Sequence, residues 1–311
     1  MTPSVEENTA SDGVNLTDCI DLEEDAEEIC YVGTSGQKVT QLNGLERMQK
    51  LKILQVRSNL LSSMAGVESL KSLIHLELYD NRIKSISCLN ELVNLQVLDL
   101  SFNEIRVLPD LSQLSQLREL YVASNKLVAI TGINKLSGLK KLDMGANRIR
   151  RIEGLDQLEN LEQLWLGKNK IEKIEKLECL NSLRILSIQS NRLVDIEGLN
   201  QLSNLTELYL SHNGIDTLKN LENLTKLEIL DVGANEIIKI PSNIARLVNL
   251  EDLWLNDNKI ERFDDVENLE PLKLTTLYLE RNPVSKAENY RQKVIEMLPN
   301  LEQLDATAID R

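Results

Sequence analysis

Acidic and aromatic side chains recur at one position along this chain. The position returns every 22 residues from Gln55 to Asp231 and then after 23 and 24 residues. Five of its occupants are aromatic, including both tryptophans, and four are acidic. Rings anchor protein interfaces, so this pattern favours a surface that binds another protein. We name these positions the acid–aromatic column: Gln55, Glu77, Asp99, Tyr121, Asp143, Trp165, Ser187, Tyr209, Asp231, Trp254 and Tyr278.

The chain carries little that would support catalysis or metal binding. Its two histidines, His75 and His212, lie too far apart to act together. No glycine-rich phosphate loop, His-Glu-x-x-His or Gly-x-Ser-x-Gly motif occurs. The four cysteines are separated by 11, 58 and 91 residues, which fits neither a disulfide framework nor a zinc site. We therefore predict a protein that is not an enzyme, with no catalytic residue, metal or cofactor and with reduced cysteines.

The composition excludes other kinds of partner. Thirty-five basic and 49 acidic residues give a net charge of −14, whereas nucleic-acid binding needs a basic patch. No stretch approaches the roughly 18 consecutive apolar residues of a membrane span, and the first residues lack the pattern of a secretion signal. We expect a soluble protein that binds neither nucleic acid nor membranes.

The charge is concentrated at one end of the chain. Residues 1–28 hold ten acidic residues and no lysine or arginine. Such a segment buries too little apolar surface to offset its ordering entropy, so we predict a disordered acidic tail. The tail has two interpretations: it keeps the protein soluble, or it contacts a basic surface on a partner.

A single repeat organises residues 29–311, and it positions the column. Leucine and isoleucine recur around a regularly spaced asparagine, as in Leu139-x-x-Leu142-x-Met144-x-x-Asn147. The first half of the repeat alternates like a short strand, and the second half has the three-residue spacing of 3₁₀ or α turns. The chain is identified as a member of the 22-residue class of leucine-rich repeats. The repeat asparagines are Asn59, Asn81, Asn103, Asn125, Asn147, Asn169, Asn191, Asn213, Asn235, Asn258 and Asn282.

This repeat predicts an α/β solenoid shaped like a horseshoe. Residues 29–311 would form about 12 repeats, with a concave parallel β-sheet and short 3₁₀ or α turns on the convex side. Residues 282–311 would form a C-terminal helical cap, with Ser285 as the helix N-cap. The column would lie on the concave face because its side chains alternate with the buried leucines. Aromatic residues also favour strands, so the rings have a second interpretation as mutual support across the sheet.

The sequence also resembles the leucine-rich-repeat regulatory subunits of eukaryotic protein phosphatase 1. The resemblance rests on the uniform repeats, the acidic N-terminal tail, the Asn282-Pro283 cap and the column. It implies a non-catalytic subunit that binds the phosphatase catalytic subunit and controls its maturation, activity or localisation. It also implies a further inhibitory subunit as partner, a nuclear and cytoplasmic location, and a monomer when free. The partner-binding residues it implies are Asp99, Tyr121, Asp143, Trp165, Asp231, Asp252, Trp254 and Tyr278.

Other assemblies use similar repeats. A scaffold of a dynein arm or of a spliceosomal particle is the alternative function, although a shorter array would be expected there. Bacterial adhesins of the internalin type also have 22-residue repeats. The lack of a recognisable export signal and the scattered cysteines disfavour that class.

Overall fold

The computed structural model describes residues 13–310 as a solenoid built on one continuous sheet. The strands follow one another across the sheet in chain order. Thirteen are parallel, and the last pairs antiparallel with its neighbour. The predicted leucine-rich-repeat fold is confirmed. The strands are β1 (Glu28–Val32), β2 (Ile53–Arg57), β3 (His75–Glu77), β4 (Val97–Asp99), β5 (Glu119–Tyr121), β6 (Lys141–Asp143), β7 (Gln163–Trp165), β8 (Ile185–Ser187), β9 (Glu207–Tyr209), β10 (Ile229–Asp231), β11 (Asp252–Trp254), β12 (Thr276–Tyr278), β13 (Gln303–Leu304) and β14 (Thr307–Ala308).

The core is a stack of aliphatic layers behind this sheet. In β6 the middle residue, Leu142, pairs in register with Leu120 of β5 and Leu164 of β7. All three side chains are fully buried, while the residues on either side of them face outward. Burying one leucine side chain is worth about 1.5–3 kcal/mol, so the repeated layers hold neighbouring turns together.

The repeat asparagines join adjacent turns by hydrogen bonds. The Oδ1 atom of Asn147 accepts the Leu127 N–H at 2.9 Å from the preceding repeat. Its Nδ2 atom donates to the carbonyl oxygens of Val122 and Met144, each at 3.0 Å. One amide thus satisfies backbone groups of two repeats that would otherwise be buried without partners. The predicted structural role of these asparagines is confirmed.

The convex side contains few regular helices. In most repeats it consists of single hydrogen-bonded turns, such as the bond from Leu139 N–H to Leu136 O at 2.9 Å. Such i to i+3 bonds explain the three-residue spacing of the buried leucines. The 3₁₀ helices are Leu16–Asp18, Leu45–Arg47, Ser242–Arg246 and Pro283–Lys286, and the α-helices are α1 (Phe263–Glu267) and α2 (Tyr290–Met297).

Packed structure begins before the predicted boundary at residue 29. Leu16 is fully buried, and its N–H donates to Gln41 O at 3.2 Å. Thr40 N–H donates to Val14 O at 2.8 Å, which holds the segment against the first repeat. The acidic composition of residues 1–28 does not predict this contact, because it depends on one leucine, Leu16, which is buried at the end of the core. The remainder of the predicted acidic tail, residues 1–12, lies outside the described residues.

The C-terminal cap forms, but its helix begins later than predicted. Ser285 lies in a 3₁₀ turn, where its hydroxyl donates to Asn282 O at 2.8 Å. Helix α2 follows Asn289, which has a left-handed φ of 58°. The prediction of Ser285 as the helix N-cap is therefore wrong, because its side chain bonds backward to the last repeat. Val294 and Leu298 are buried and cover the end of the core.

Candidate protein interface

The acid–aromatic column forms one continuous row across the sheet. Neighbouring members pair directly, as Asp99 does with Tyr121, Asp143 with Trp165, and Trp254 with Tyr278. All eight predicted partner-binding residues lie on this face, which is the concave face of the horseshoe. At about 4.8 Å between strands, the row from β4 to β12 is about 38 Å long. The 22-residue repeat length puts these side chains in register as far as Asp231, and the slightly longer last repeats keep Trp254 and Tyr278 in the same row.

The aspartates of the column are less exposed than their pattern predicts. Each accepts a hydrogen bond from the backbone N–H two residues later, at 2.8 Å for Asp99 and Asp143 and 3.0 Å for Asp231. Burial raises the pKa of all three carboxyl groups, and these hydrogen bonds oppose the rise. The carboxylates therefore shape the ends of their strands as well as making the face acidic. The donors are Ser101, Gly145 and Gly233.

Asp252 occupies a different place from the other predicted acids. It is the first residue of β11, two positions before Trp254, and it is half-buried. Its Oδ1 atom accepts a hydrogen bond from the Thr275 hydroxyl at 3.4 Å. Within residues 13–310 no backbone N–H donates to this carboxylate, so Asp252 widens the acidic face beyond the column.

Two tyrosines of the column are held by glutamates on their own strands. The Tyr121 hydroxyl donates to Glu119 at 2.7 Å, and the Tyr209 hydroxyl donates to Glu207 at 2.8 Å. Burial and then the hydrogen-bonded glutamate raise the pKa of each tyrosine well above its ordinary value. These phenols stay neutral and their rings are fixed before any partner arrives, which lowers the entropy cost of binding.

Four rings of the column form two pairs. Trp165 and Tyr209 are stacked with centroids 6.2 Å apart, although Ser187 of β8 separates them in the sheet. Ser187 is fully buried, because the two rings close over its small side chain. Trp254 and Tyr278 meet edge to face at 5.6 Å, and Trp254 keeps 38% of its surface exposed. The rings therefore support one another and also present apolar area to a partner.

The N-terminal part of the column contains an ion-pair network that the residue pattern does not reveal. Glu77 is buried and accepts hydrogen bonds from Arg57 at 2.7 Å and from Gln55 at 3.0 Å. Arg57 lies two residues after Gln55, on the same face of β2. In the sequence, only the position of Arg57 beside an acidic column indicates this ion pair with Glu77. Because Glu77 is already paired, it offers less free charge to a partner.

Three observations bear on other kinds of site. Within residues 13–310, no group of three or more histidine, cysteine, aspartate or glutamate side chains is arranged to hold a metal ion. No helix in that same range is both long and apolar enough to cross a membrane. All four cysteines are free.

Solved structures of known proteins share this architecture. A leucine-rich-repeat protein of Leptospira interrogans matches with a TM-score of 0.79 and 31% identity, over 86% of this chain and 69% of its own. An internalin of Listeria monocytogenes matches with a TM-score of 0.72 and 27% identity, over 91% of this chain and 87% of its own. A plant peptide hormone receptor in complex with its peptide matches with a TM-score of 0.65 and 22% identity, over 88% of this chain and 51% of its own. At that identity the likeness shows a shared fold alone. No curated protein matches the chain.

Family models give the same assignment. The leucine-rich repeat model matches residues 201–311. The model for two copies of leucine rich repeats matches residues 71–115, 93–135, 137–179 and 159–201. Together with the in-register strands, the asparagine hydrogen bonds and the structural relatives, these matches show that the chain belongs to the leucine-rich repeat family, whose members serve as scaffolds for protein–protein interaction.

Proposed function

We propose that this protein is a non-catalytic regulatory subunit of protein phosphatase 1. Its concave face would bind the catalytic subunit and control the maturation, activity or localisation of that enzyme. The observation that carries the proposal is the alternation of acids and rings in register, from Asp99 to Tyr278. The identity of the partner comes from the resemblance of these residues to the phosphatase regulatory subunits.

The geometry suits a large, folded partner. A row about 38 Å long spans a surface comparable with one face of a globular domain, whereas a short peptide would fill only part of it. The rings of Trp165, Tyr209, Trp254 and Tyr278 would supply hot spots, and the carboxylates would select a basic surface. The phosphatase catalytic subunit should therefore present basic side chains to the column.

The same resemblance supplies the rest of the proposal. A further inhibitory subunit would join the complex, and the protein would be monomeric when free and occur in the nucleus and the cytoplasm. Sedimentation of the purified chain, alone and with the phosphatase, tests the proposed stoichiometry.

Co-expression provides the decisive experiment. The chain is expected to co-purify with the catalytic subunit of protein phosphatase 1 in about equal amounts at moderate salt. Val107→Ser is the matched control, since Val107 is 62% exposed but lies outside the strands. It should leave recovery unchanged. A pull-down that recovers only dynein, RNA-particle or membrane components would contradict the proposal.

The charge of the column should act on the rate of association. Asp143→Asn keeps an oxygen for the Gly145 N–H and removes one negative charge. We expect association with the phosphatase to be about two- to fivefold slower at low salt. The difference should vanish at about 1 M salt, where charges are screened within about 3 Å. Stopped-flow measurement across a salt series checks this.

Asp143→Asn should not reduce the thermal stability of the protein. Burial raises the pKa of Asp143 above its unfolded value, so protonation stabilises the folded state and this stabilisation is lost as pH rises through the folded pKa. At pH 7 the wild-type protein holds a half-buried charge that Asp143→Asn lacks. The variant should therefore unfold at a temperature no lower than the wild type. A lower melting temperature, or a salt-independent rate difference, would assign Asp143 a structural role only.

A further inference from the structure

Phe102 is exposed and has an unusual backbone conformation. Its φ is 56°, in the left-handed region, and 48% of its surface is exposed. A bulky side chain is strained there, and burial does not compensate at this position. The residue that precedes each repeat asparagine is left-handed throughout the array. At all of these positions except that of Phe102, the residue is small, polar or charged. Those residues are Ser58, Asp80, Ser124, Ala146, Lys168, Ser190, His212, Ala234, Asp257 and Arg281.

Tyr79 packs against this phenyl ring. The centroids of the two rings are 4.9 Å apart and the planes are tilted by 49°. The other five tyrosines of the chain all have a hydrogen bond at the hydroxyl group. Within residues 13–310, the hydroxyl of Tyr79 has no recorded hydrogen-bond partner. The pair thus presents an aromatic surface and a free hydroxyl side by side.

An exposed aspartate, Asp80, follows Tyr79 directly in the chain. Asp80 N–H donates to Ser101 O at 3.0 Å, and Asn81 N–H donates to Phe102 O at 3.1 Å, so Asp80 and Phe102 stand in adjacent turns. Asp80 is exposed, and no ion pair of its side chain is recorded in the described part of the chain. Tyr79 lies two residues after Glu77, so the cluster continues from the column to the edge of the concave face.

We infer that Tyr79, Asp80 and Phe102, which we name the rim cluster, bind an arginine side chain of the partner that docks on the column. A guanidinium group stacks on an aromatic ring while it pairs with a carboxylate, and its N–H groups reach a free hydroxyl oxygen. The inference rests on the proposed function, because the column and the rim cluster would bind one partner together. It adds a contact at the β3 and β4 end, far from Trp254.

Phe102→Ser is the central variant, because serine occurs at the equivalent positions 58, 124 and 190. We expect at least a tenfold weaker affinity for the catalytic subunit of protein phosphatase 1, measured by calorimetry. The melting temperature should change little, because relief of a bulky side chain in the left-handed region offsets the lost ring contact with Tyr79. Tyr79→Phe, which removes only the hydroxyl, should weaken binding severalfold. Val107→Ser serves again as the control and should bind like the wild type.

Asp80→Asn tests the chemistry of the bound side chain. If the rim cluster holds a cation, this variant should weaken binding at low salt and much less at high salt. Loss of affinity in Phe102→Ser but not in Asp80→Asn would overturn the assignment of a basic side chain. Normal affinity in Phe102→Ser, with Trp254→Ala impaired, would overturn the rim cluster and leave the proposed function intact. A wild-type chain that does not bind the phosphatase would overturn both.

Discussion

Replacing Trp254 by alanine is expected to weaken phosphatase binding by about 2–4 kcal/mol, the loss typical of a tryptophan at the centre of an interface. Trp254 is the last residue of β11 and points away from the buried Leu253. Its recorded ring contact is with Tyr278, and such pairs contribute about 0.5–1.5 kcal/mol. The melting temperature should therefore change little. Calorimetric titration and thermal unfolding measure the two effects separately.

Trp254→Phe is the matched control for this prediction. Trp254→Phe keeps a ring beside Tyr278 and should retain much of the affinity. If the polar indole N–H were what mattered for binding, both variants would lose the same affinity, because both lack it. A contrary result is easily recognised. If Trp254→Ala unfolds the protein while the surviving folded fraction binds normally, the rings of the column only support one another across the sheet.

Replacing Asn147 by alanine should have the opposite effects: it should lower the stability and leave the affinity for the phosphatase unchanged. Its buried amide bonds Leu127 N–H and the carbonyl oxygens of Val122, Met144 and Gly145. Leaving a buried backbone group unsatisfied costs about 1–3 kcal/mol. The loss should spread to neighbouring repeats, because each turn of a solenoid is stabilised by the next. Urea unfolding should show the reduced stability, and the folded fraction should keep its affinity.

Asn191→Ala provides a matched comparison. Asn191 makes the same kinds of bond, to Ile171 N–H and to the carbonyl oxygens of Leu166 and Ile188, but it is half-buried. Water can replace the lost partners there, so the destabilisation should be smaller than for Asn147→Ala. Equal losses at the two positions would show that burial does not set the cost.

The fold could be predicted from the sequence because one short unit repeats. A constant interval between Leu142, Leu164 and Leu186 leaves a single way to bury every leucine, which is to stack equal turns in register. The same interval aligns the acid–aromatic column, since outward residues must alternate with inward leucines. The family and the shape of the candidate interface were therefore accessible from spacing alone. The identity of its partner remains a prediction, based on resemblance.

The spacing of residues in the sequence does not predict contacts that depend on the direction of the backbone within a turn. Asp143 looks like a free charge in the sequence, yet the Gly145 N–H holds it, because the chain bends away where β6 ends. The starts of the packed structure at Leu16 and of α2 at Tyr290 likewise depend on which exposed end of the core must be covered.

Contacts between separate repeats belong to the tertiary structure for the same reason. The closure of Trp165 and Tyr209 over Ser187, and the contact of Tyr79 with Phe102, join residues of different turns. The sequence determined which residues face the same side of the solenoid, because a strand alternates with a period of two. Only the tertiary structure decided which of them touch, because rotamers, left-handed turns and the size of the intervening side chain set the distances between neighbouring turns.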